Sequence, residues 1–182
     1  MKTTLNEIRR HKPCKTSWSK LLAHLGKTAA DDESIDFMTI LTVLGVGDTV
    51  WCFRAVPRLK LKHLGLDIAK TVAHLDKSGS AQRAIDAGRS YLAGTGSLET
   101  VNDAAEAAVD AAATAWVARA DARAARAADA AYSAARAAVD SADYSVVLAA
   151  YAAYSAVKAA KGGPVLLNEQ HKIVQRFIKE NS

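Results

Sequence analysis

Residues 101–140 read VNDAAEAAVD AAATAWVARA DARAARAADA AYSAARAAVD, and across 101–160 alanine fills 29 of 60 positions. Alanine loses no side-chain entropy on entering a helix, so a stretch of this composition is strongly helical even where it packs little. It also lets helix axes approach closely. Val101, Val109, Trp116, Val117, Tyr132, Val139, Val146, Val147, Leu148, Tyr151 and Tyr154 supply packing anchors, which sets the block apart from a dispersed coil. Gly162-Gly163-Pro164 ends it, and Val165 to Ile178 forms a final amphipathic helix through Leu166, Leu167, Ile173, Val174, Phe177 and Ile178.

The charges in the block carry geometry. Glu99, Asp103, Glu106 and Asp110 step by 4, 3 and 4 and form one acidic helical stripe, whereas Arg119, Arg123 and Arg126 form a basic one. The nine residues from Asp110 to Arg119 rotate a continuous helix by half a turn. Either the helix is interrupted near residues 111–118, giving an antiparallel hairpin, or one rod shows opposite charges on opposite sides. The hairpin is the favoured reading, and a solvated face is the simpler account of both stripes.

Upstream, shorter helices follow one another. Thr4 and Glu7 have capping-box spacing ahead of Leu5 and Ile8, and Pro13 closes that helix. Trp18, Leu21, Leu22 and Leu25 keep the i, i+3, i+4, i+7 rule over residues 16–25, with Gly26 at the stop position. After the acidic loop Asp31-Asp32-Glu33, Ser34 reads as the N-cap of a helix through Ile35, Phe37, Met38, Ile40, Leu41 and Leu44, closed by Gly45 and Gly47. Asp48 reads as the cap of a short helix over 49–56, in which Trp51, Cys52 and Val56 face the core and Pro57 forces a turn. Leu61, Leu64, Ile68, Val72 and Leu75 give an unambiguous helical face. Residues 76–80 break it at Gly79, and residues 81–92 form another helix. Gly94-Thr95-Gly96 is a loop before Ser97, which caps the Ala-rich element.

The pattern predicts an all-α fold: a multi-helix bundle or irregular helical array with a long Ala-rich helical hairpin. At 182 residues, half of them apolar, the chain can bury a core as one domain, 1–182, with a basic N-terminal part (1–75) and an Ala-rich part (76–182). Basic and acidic residues number twelve and seven in 1–75, nine and ten in 76–161, and three and two in 162–182, so the +5 excess lies toward the N-terminus. Cys14 and Cys52 are far apart and form no CxxC pair, which disfavours zinc fingers, iron–sulfur clusters and disulfide scaffolds. The start lacks the apolar core of a signal peptide and no segment has the ~18 apolar residues of a membrane span, so the cytoplasm, with no membrane partner, is the expected compartment.

Catalytic signatures are sparse. His63, Asp67 and His74 approach one helical face and offer a carboxylate beside two imidazoles, yet their spacing matches no metalloenzyme signature and surface residues explain it more simply. Cys14 lies by a basic run, Arg9-Arg10-His11-Lys12 and Lys15, without an acyl-transfer signature around it, and Cys52 reads as a buried small hydrophobe. No P-loop, HExxH, GxSxG or EF-hand loop is present. No catalytic residue, cofactor or metal is therefore assigned, and the chain is read as a non-enzyme. Arg54, Arg58, Lys60, Lys62 and His63 form a basic segment around Pro57 that suits phosphate backbones or the flank of a protein interface. Trp18, Trp51 and Trp116 are interface anchors where the core does not use them first.

The run Leu5-Asn6-Glu7-Ile8-Arg9, then Pro13-Cys14, Trp18, Lys20-Leu21-Leu22, Leu25-Gly26-Lys27-Thr28, Asp31-Asp32-Glu33 and Asp48 with Trp51-Cys52-Phe53-Arg54-Ala55-Val56, resembles proteins encoded by phages and prophages. Residues 81–94, Ala81-Gln82-Arg83-Ala84-Ile85-Asp86-Ala87-Gly88-Arg89-Ser90-Tyr91-Leu92-Ala93-Gly94, followed by the Ala-rich helices, resemble the helical immunity-protein domain associated with bacterial toxin systems. The resemblance implies an all-helical fold and neutralisation of a toxin or host effector, and carries over no catalytic residue. The expected function is a non-enzymatic, protein-binding inhibitor or immunity-type protein directed at a bacterial toxin or at a defence effector such as a CRISPR complex or another nuclease. The expected contacts are Arg54, Arg58, Lys60, Lys62, Arg119, Arg123 and Arg126. The alternative is a nucleic-acid-binding regulator using the N-terminal basic surface, and self-association stays open.

Overall fold

The structure, a computed structural model, describes residues 1–56, 61–117, 122–139, 149, 151–153, 155–157 and 163–182. Among them the chain is all-helical apart from one pair of three-residue strands. It divides into two compact units, Met1–Leu59 with His171–Ser182, and Lys60–Gln170. That division differs from the 1–75 and 76–182 parts expected from charge and composition.

In the first unit, strand β1 (Lys2–Thr4) pairs antiparallel with β2 (Ser34–Asp36), Thr3 opposite Ile35. Helix α1 (Leu5–Arg10) starts where expected, because the Thr4 Oγ1 accepts the Glu7 N–H at 3.1 Å. Helix α2 (Lys15–His24) is capped by the Cys14 sulfur and stops before Gly26, which takes φ 66°. Ser34 is not the next N-cap. It lies in β2, where Ile35 points inward between the exposed Ser34 and Asp36, and Asp36 caps helix α3 (Phe37–Leu44) by accepting the Met38 N–H at 2.8 Å. Three residues are too few for the period-2 pattern to stand out from a helix start.

Gly45, at φ 80°, ends α3, whereas Gly47 lies inside helix α4 (Val46–Cys52). Asp48 therefore sits within the first turn of α4 and not ahead of it, and its carboxylate accepts the Ser17 hydroxyl at 2.7 Å. A 3₁₀ turn, Phe53–Ala55, follows. Phe53 centres this unit's core, its ring 4.9 Å from Phe37 and 5.3 Å from Phe177 of the C-terminal helix (Gly163–Glu180). Leu5, Ile8, Leu21, Ile40, Leu41 and Ile178 are buried with them.

The second unit holds α5 (Lys62–Ala73), α6 (Ser80–Leu92), α7 (Leu98–Val117) and α8 (Ala122–Val139), together with the start of the C-terminal helix. Helix α8 is the hub, packed on α5, α6 and α7. Nine of its alanines are buried. The methyl groups permit close approach: a Cβ placed on Gly88 of α6 would lie 3.0 Å from Leu66 Cδ2 and 3.5 Å from Ala135 Cα. Helices α7 and α8 run antiparallel, since Asn102 meets Arg136 (3.0 Å) whereas Trp116, fourteen residues later, meets Arg126. The Ala-rich block thus forms the expected hairpin, but α7 continues unbroken through residues 111–117, where the interruption was expected to begin.

Residues 76–80 are more than a break. The carboxylate of Asp76, 9% exposed, accepts from Ser78 N (3.0 Å), Ser78 Oγ (2.7 Å), Ser80 Oγ (2.9 Å) and Ala81 N (2.8 Å), and so organises the start of α6. Burial pushes this carboxyl up, but the hydrogen bonds from Ala81, Ser78 and Ser80 outweigh it and hold it below the ordinary carboxylate range.

Candidate protein-binding surface

Helix α7 is 20 residues long, eight of them alanine, and the Ser97 hydroxyl caps it by accepting the Thr100 N–H at 3.1 Å. Its inward face is set by small residues: Val101, Ala105, Ala108 and Ala112 are buried. Three large apolar side chains do not join them. Leu98 (47% exposed), Val109 (37%) and Trp116 (47%) stand in solvent. Eleven residues separate the first two and seven the last two, which at 100° per residue returns each to within about 20° of the same azimuth. They form one apolar row along the helix.

Beside that row, Glu99, Asp103, Glu106 and Asp110 are all exposed, as expected of a solvated acidic stripe. At the far end the row meets α8. The Arg126 guanidinium lies 5.7 Å from the Trp116 ring centroid, and the Trp116 indole donates to the Asp129 carboxylate. Burial raises the Asp129 carboxyl above its ordinary value, and the Trp116 hydrogen bond and the Arg126 charge offset this only in part. The tryptophan thus stands beside Arg126 and Asp129 with half its surface open.

Of the basic residues expected to make contact, Arg54, Lys62, Arg123 and Arg126 fall within the described residues. Arg54, in the first unit, lies half-buried with its guanidinium 5.6 Å from the Trp51 ring centroid. Lys62, in the second, donates to the Ala138 carbonyl at 2.9 Å and so satisfies the end of α8. Arg126 is placed over Trp116 and directs Nη1 at the Ser155 carbonyl (3.5 Å), and Arg123 is half-buried. Arg58, Lys60 and Arg119 lie outside the described residues.

The imidazole–carboxylate face on α5 forms no centre. His63, Asp67 and His74 are exposed, and Asp67 pairs with Arg89 at 2.6 Å. Eleven residues of helix put about 16 Å between His63 and His74 along the axis, too far for one site despite their shared azimuth. No cluster of three metal-ligating side chains occurs among the described residues. Cys14 is exposed and engaged with Ser17, whereas Cys52 is buried, and burial, aided by the Asp48 charge, pushes its thiol up to about 12. A groove of about 560 Å³ between α6 and α7 is lined by Arg83, Asp86, Ser90, Thr100 and Asp103, each solvent-exposed. Ala87, Ala104 and Ala107 complete its lining, and it is an open furrow, unlike the concave pockets that enclose most of a small ligand's surface. Among the described residues no helix is long and apolar enough to cross a membrane.

No protein-family model, curated protein or solved structure matches this chain. The functional reading therefore rests on the chain's own residues and geometry.

Proposed function

We propose that this chain is a non-enzymatic inhibitor or immunity-type protein that works by covering a surface of a protein partner, a bacterial toxin, nuclease or other defence effector of the kind phages must disarm. The observation that carries the reading is the exposed row Leu98, Val109 and Trp116 along the flank of α7, bordering its buried face, with Trp116 beside Arg126 and Asp129. Each of these side chains loses hydrophobic stabilisation by standing in water, about 25 cal/mol per Å² of apolar surface. Tryptophan and arginine are the residue types that most often dominate a protein interface. The separation of His63, Asp67 and His74 along α5 and the open furrow beside α6 support contact as the mode of action in preference to chemistry.

The test is affinity capture from bacterial lysate with the full chain, alongside Val109→Asp and Trp116→Ala, each checked for native helicity. The proposal expects a stable partner whose activity falls when the chain is added, and at least tenfold weaker capture by Val109→Asp. A folded chain that retains no partner, or a Val109→Asp variant that captures it equally well, overturns the proposal.

A further inference from the structure

The charge of the chain is not shared between its units. Residues 1–59 and 171–182 hold twelve basic and seven acidic side chains, whereas residues 60–170 hold twelve of each. The whole +5 belongs to the first unit. Moreover, all six carboxylates of residues 1–59 are occupied locally. Glu7 binds Arg10 (2.5 Å), Asp31 and Glu33 share Lys27 (2.6 Å each), and Asp32 takes the Asn6 amide (2.9 Å). Asp36 caps α3, and Asp48 accepts from Ser17. Among the described residues, Glu7, Asp31 and Glu33 form their ion pairs with Arg10 and Lys27. Arg9, Lys12 and Lys15, exposed around the turn between α1 and α2, have no carboxylate within ion-pair distance among the described residues. The same holds for Lys172, Arg176 and Lys179, which step by 4 and 3 along the exposed side of the C-terminal helix.

We infer that the first unit binds nucleic-acid phosphate backbones, without regard to sequence, through these two cationic patches. Three cations over seven helical residues span about 10 Å, enough to meet about three successive phosphates of one strand. An acidic protein would present the same charge, but protein interfaces are anchored by apolar and aromatic side chains, whereas nucleic-acid interfaces are polar and positive. The large apolar side chains that stand exposed among the described residues, Leu98, Val109, Trp116, Tyr151 and Val165, all lie in the second unit. Among its described residues the first unit offers cations with no large apolar side chain in the exposed class, Trp18 and Trp51 being half-buried, which favours the polyanion. This activity is separate from the contact surface on α7.

Fluorescence anisotropy with labelled 20-nucleotide single-stranded and duplex DNA and RNA tests the inference on the full chain. Binding is expected at 50 mM salt for each, and three to six phosphate contacts predict a loss by 200 mM of roughly 40- to 2,000-fold in affinity for duplex DNA and roughly 20- to 340-fold for a single strand. Lys172→Gln/Arg176→Gln/Lys179→Gln and, separately, Arg9→Gln/Lys12→Gln/Lys15→Gln should each weaken binding at least tenfold and flatten the salt dependence, with circular dichroism unchanged. Val109→Asp should bind nucleic acid as the parent does, so this result and the one for the protein partner can fail independently. Absence of binding at 50 mM, affinity indifferent to salt, or native-level affinity in both triple variants would overturn the inference. So would poly-glutamate competing as well as DNA at equal charge, which would point to an acidic protein instead.

Discussion

Replacing Asp76 by alanine should destabilise the second unit by about 2–3 kcal/mol at pH 7. The carboxylate is nearly buried and takes four hydrogen bonds, two from backbone N–H groups and two from serine hydroxyls. Loss of a capping side chain costs about 1 kcal/mol, and leaving a buried donor without a partner costs about 1–3 kcal/mol. Water can reach the Ser78 hydroxyl, whereas Ser80 and the Ala81 N–H are buried, which sets the total near the middle of the combined range. For a chain of this size that corresponds to roughly 5–10 °C in melting temperature. The pH dependence gives an independent check. Because the folded carboxyl sits below its unfolded value, its contribution is fully present above the unfolded value and is lost as pH falls through the folded one. The gap between the parent and Asp76→Ala should therefore be wide at pH 7 and narrow steadily below about pH 4. Thermal and urea melts followed at 222 nm measure both effects. A variant melting within a degree of the parent at pH 7, or a gap that persists undiminished at pH 3, would refute the role assigned to the carboxylate.

Gly88 separates a packing constraint from a conformational one. Gly88→Ala gains about 1 kcal/mol of helix propensity and presses only on the movable end of Leu66, so its stability should stay close to the parent's. Gly88→Leu must push α6 off α8 and should destabilise by about 2 kcal/mol or more in urea melts; equal stability of the two variants would contradict the close approach seen at Ala135 and Ala138. The cysteines should differ sharply toward a thiol reagent at pH 8: Cys14 reacts in the native protein, whereas Cys52, buried and with its thiol pushed up to about 12, reacts only on unfolding. Two fast equivalents from the folded chain would show that Cys52 is not enclosed.

Helix identity was legible wherever a local rule was sufficient. Thr4 and Glu7 announced α1, Ser97 announced α7, and Leu64, Ile68 and Val72 announced the buried face of α5. Errors fell where two local readings competed and a distant segment decided between them. Ser34 is a good N-cap by type, yet β1, some thirty residues earlier, draws Ser34–Asp36 into a strand and moves the cap to Asp36. Asp48 is likewise a good cap by type, but Gly45 lets the chain turn earlier, and Ser17 of another helix takes up its carboxylate. The Asp76 network had a readable signal, an aspartate followed at two and four residues by serines ahead of a helix, that passed for an ordinary break. The candidate surface was legible only in fragments. Trp116 was recognisable as an anchor, whereas the basic residues named as contacts include Lys62 and Arg126, which the fold uses internally.

By itself the sequence determined that this chain is helical, where most of its helices begin, and that its longest helices are joined by methyl-to-methyl packing. Those properties depend on residues within one or two turns of each other. Which of the apolar and charged side chains are left for a partner was decided only by the tertiary structure. On α7 the helical period places Leu98, Val109 and Trp116 in one row, but only the position of α8 determines that Ala105 and Ala112 are covered and that row is not. In the first unit, likewise, composition counts the cations, and only the fold determines which carboxylates reach them.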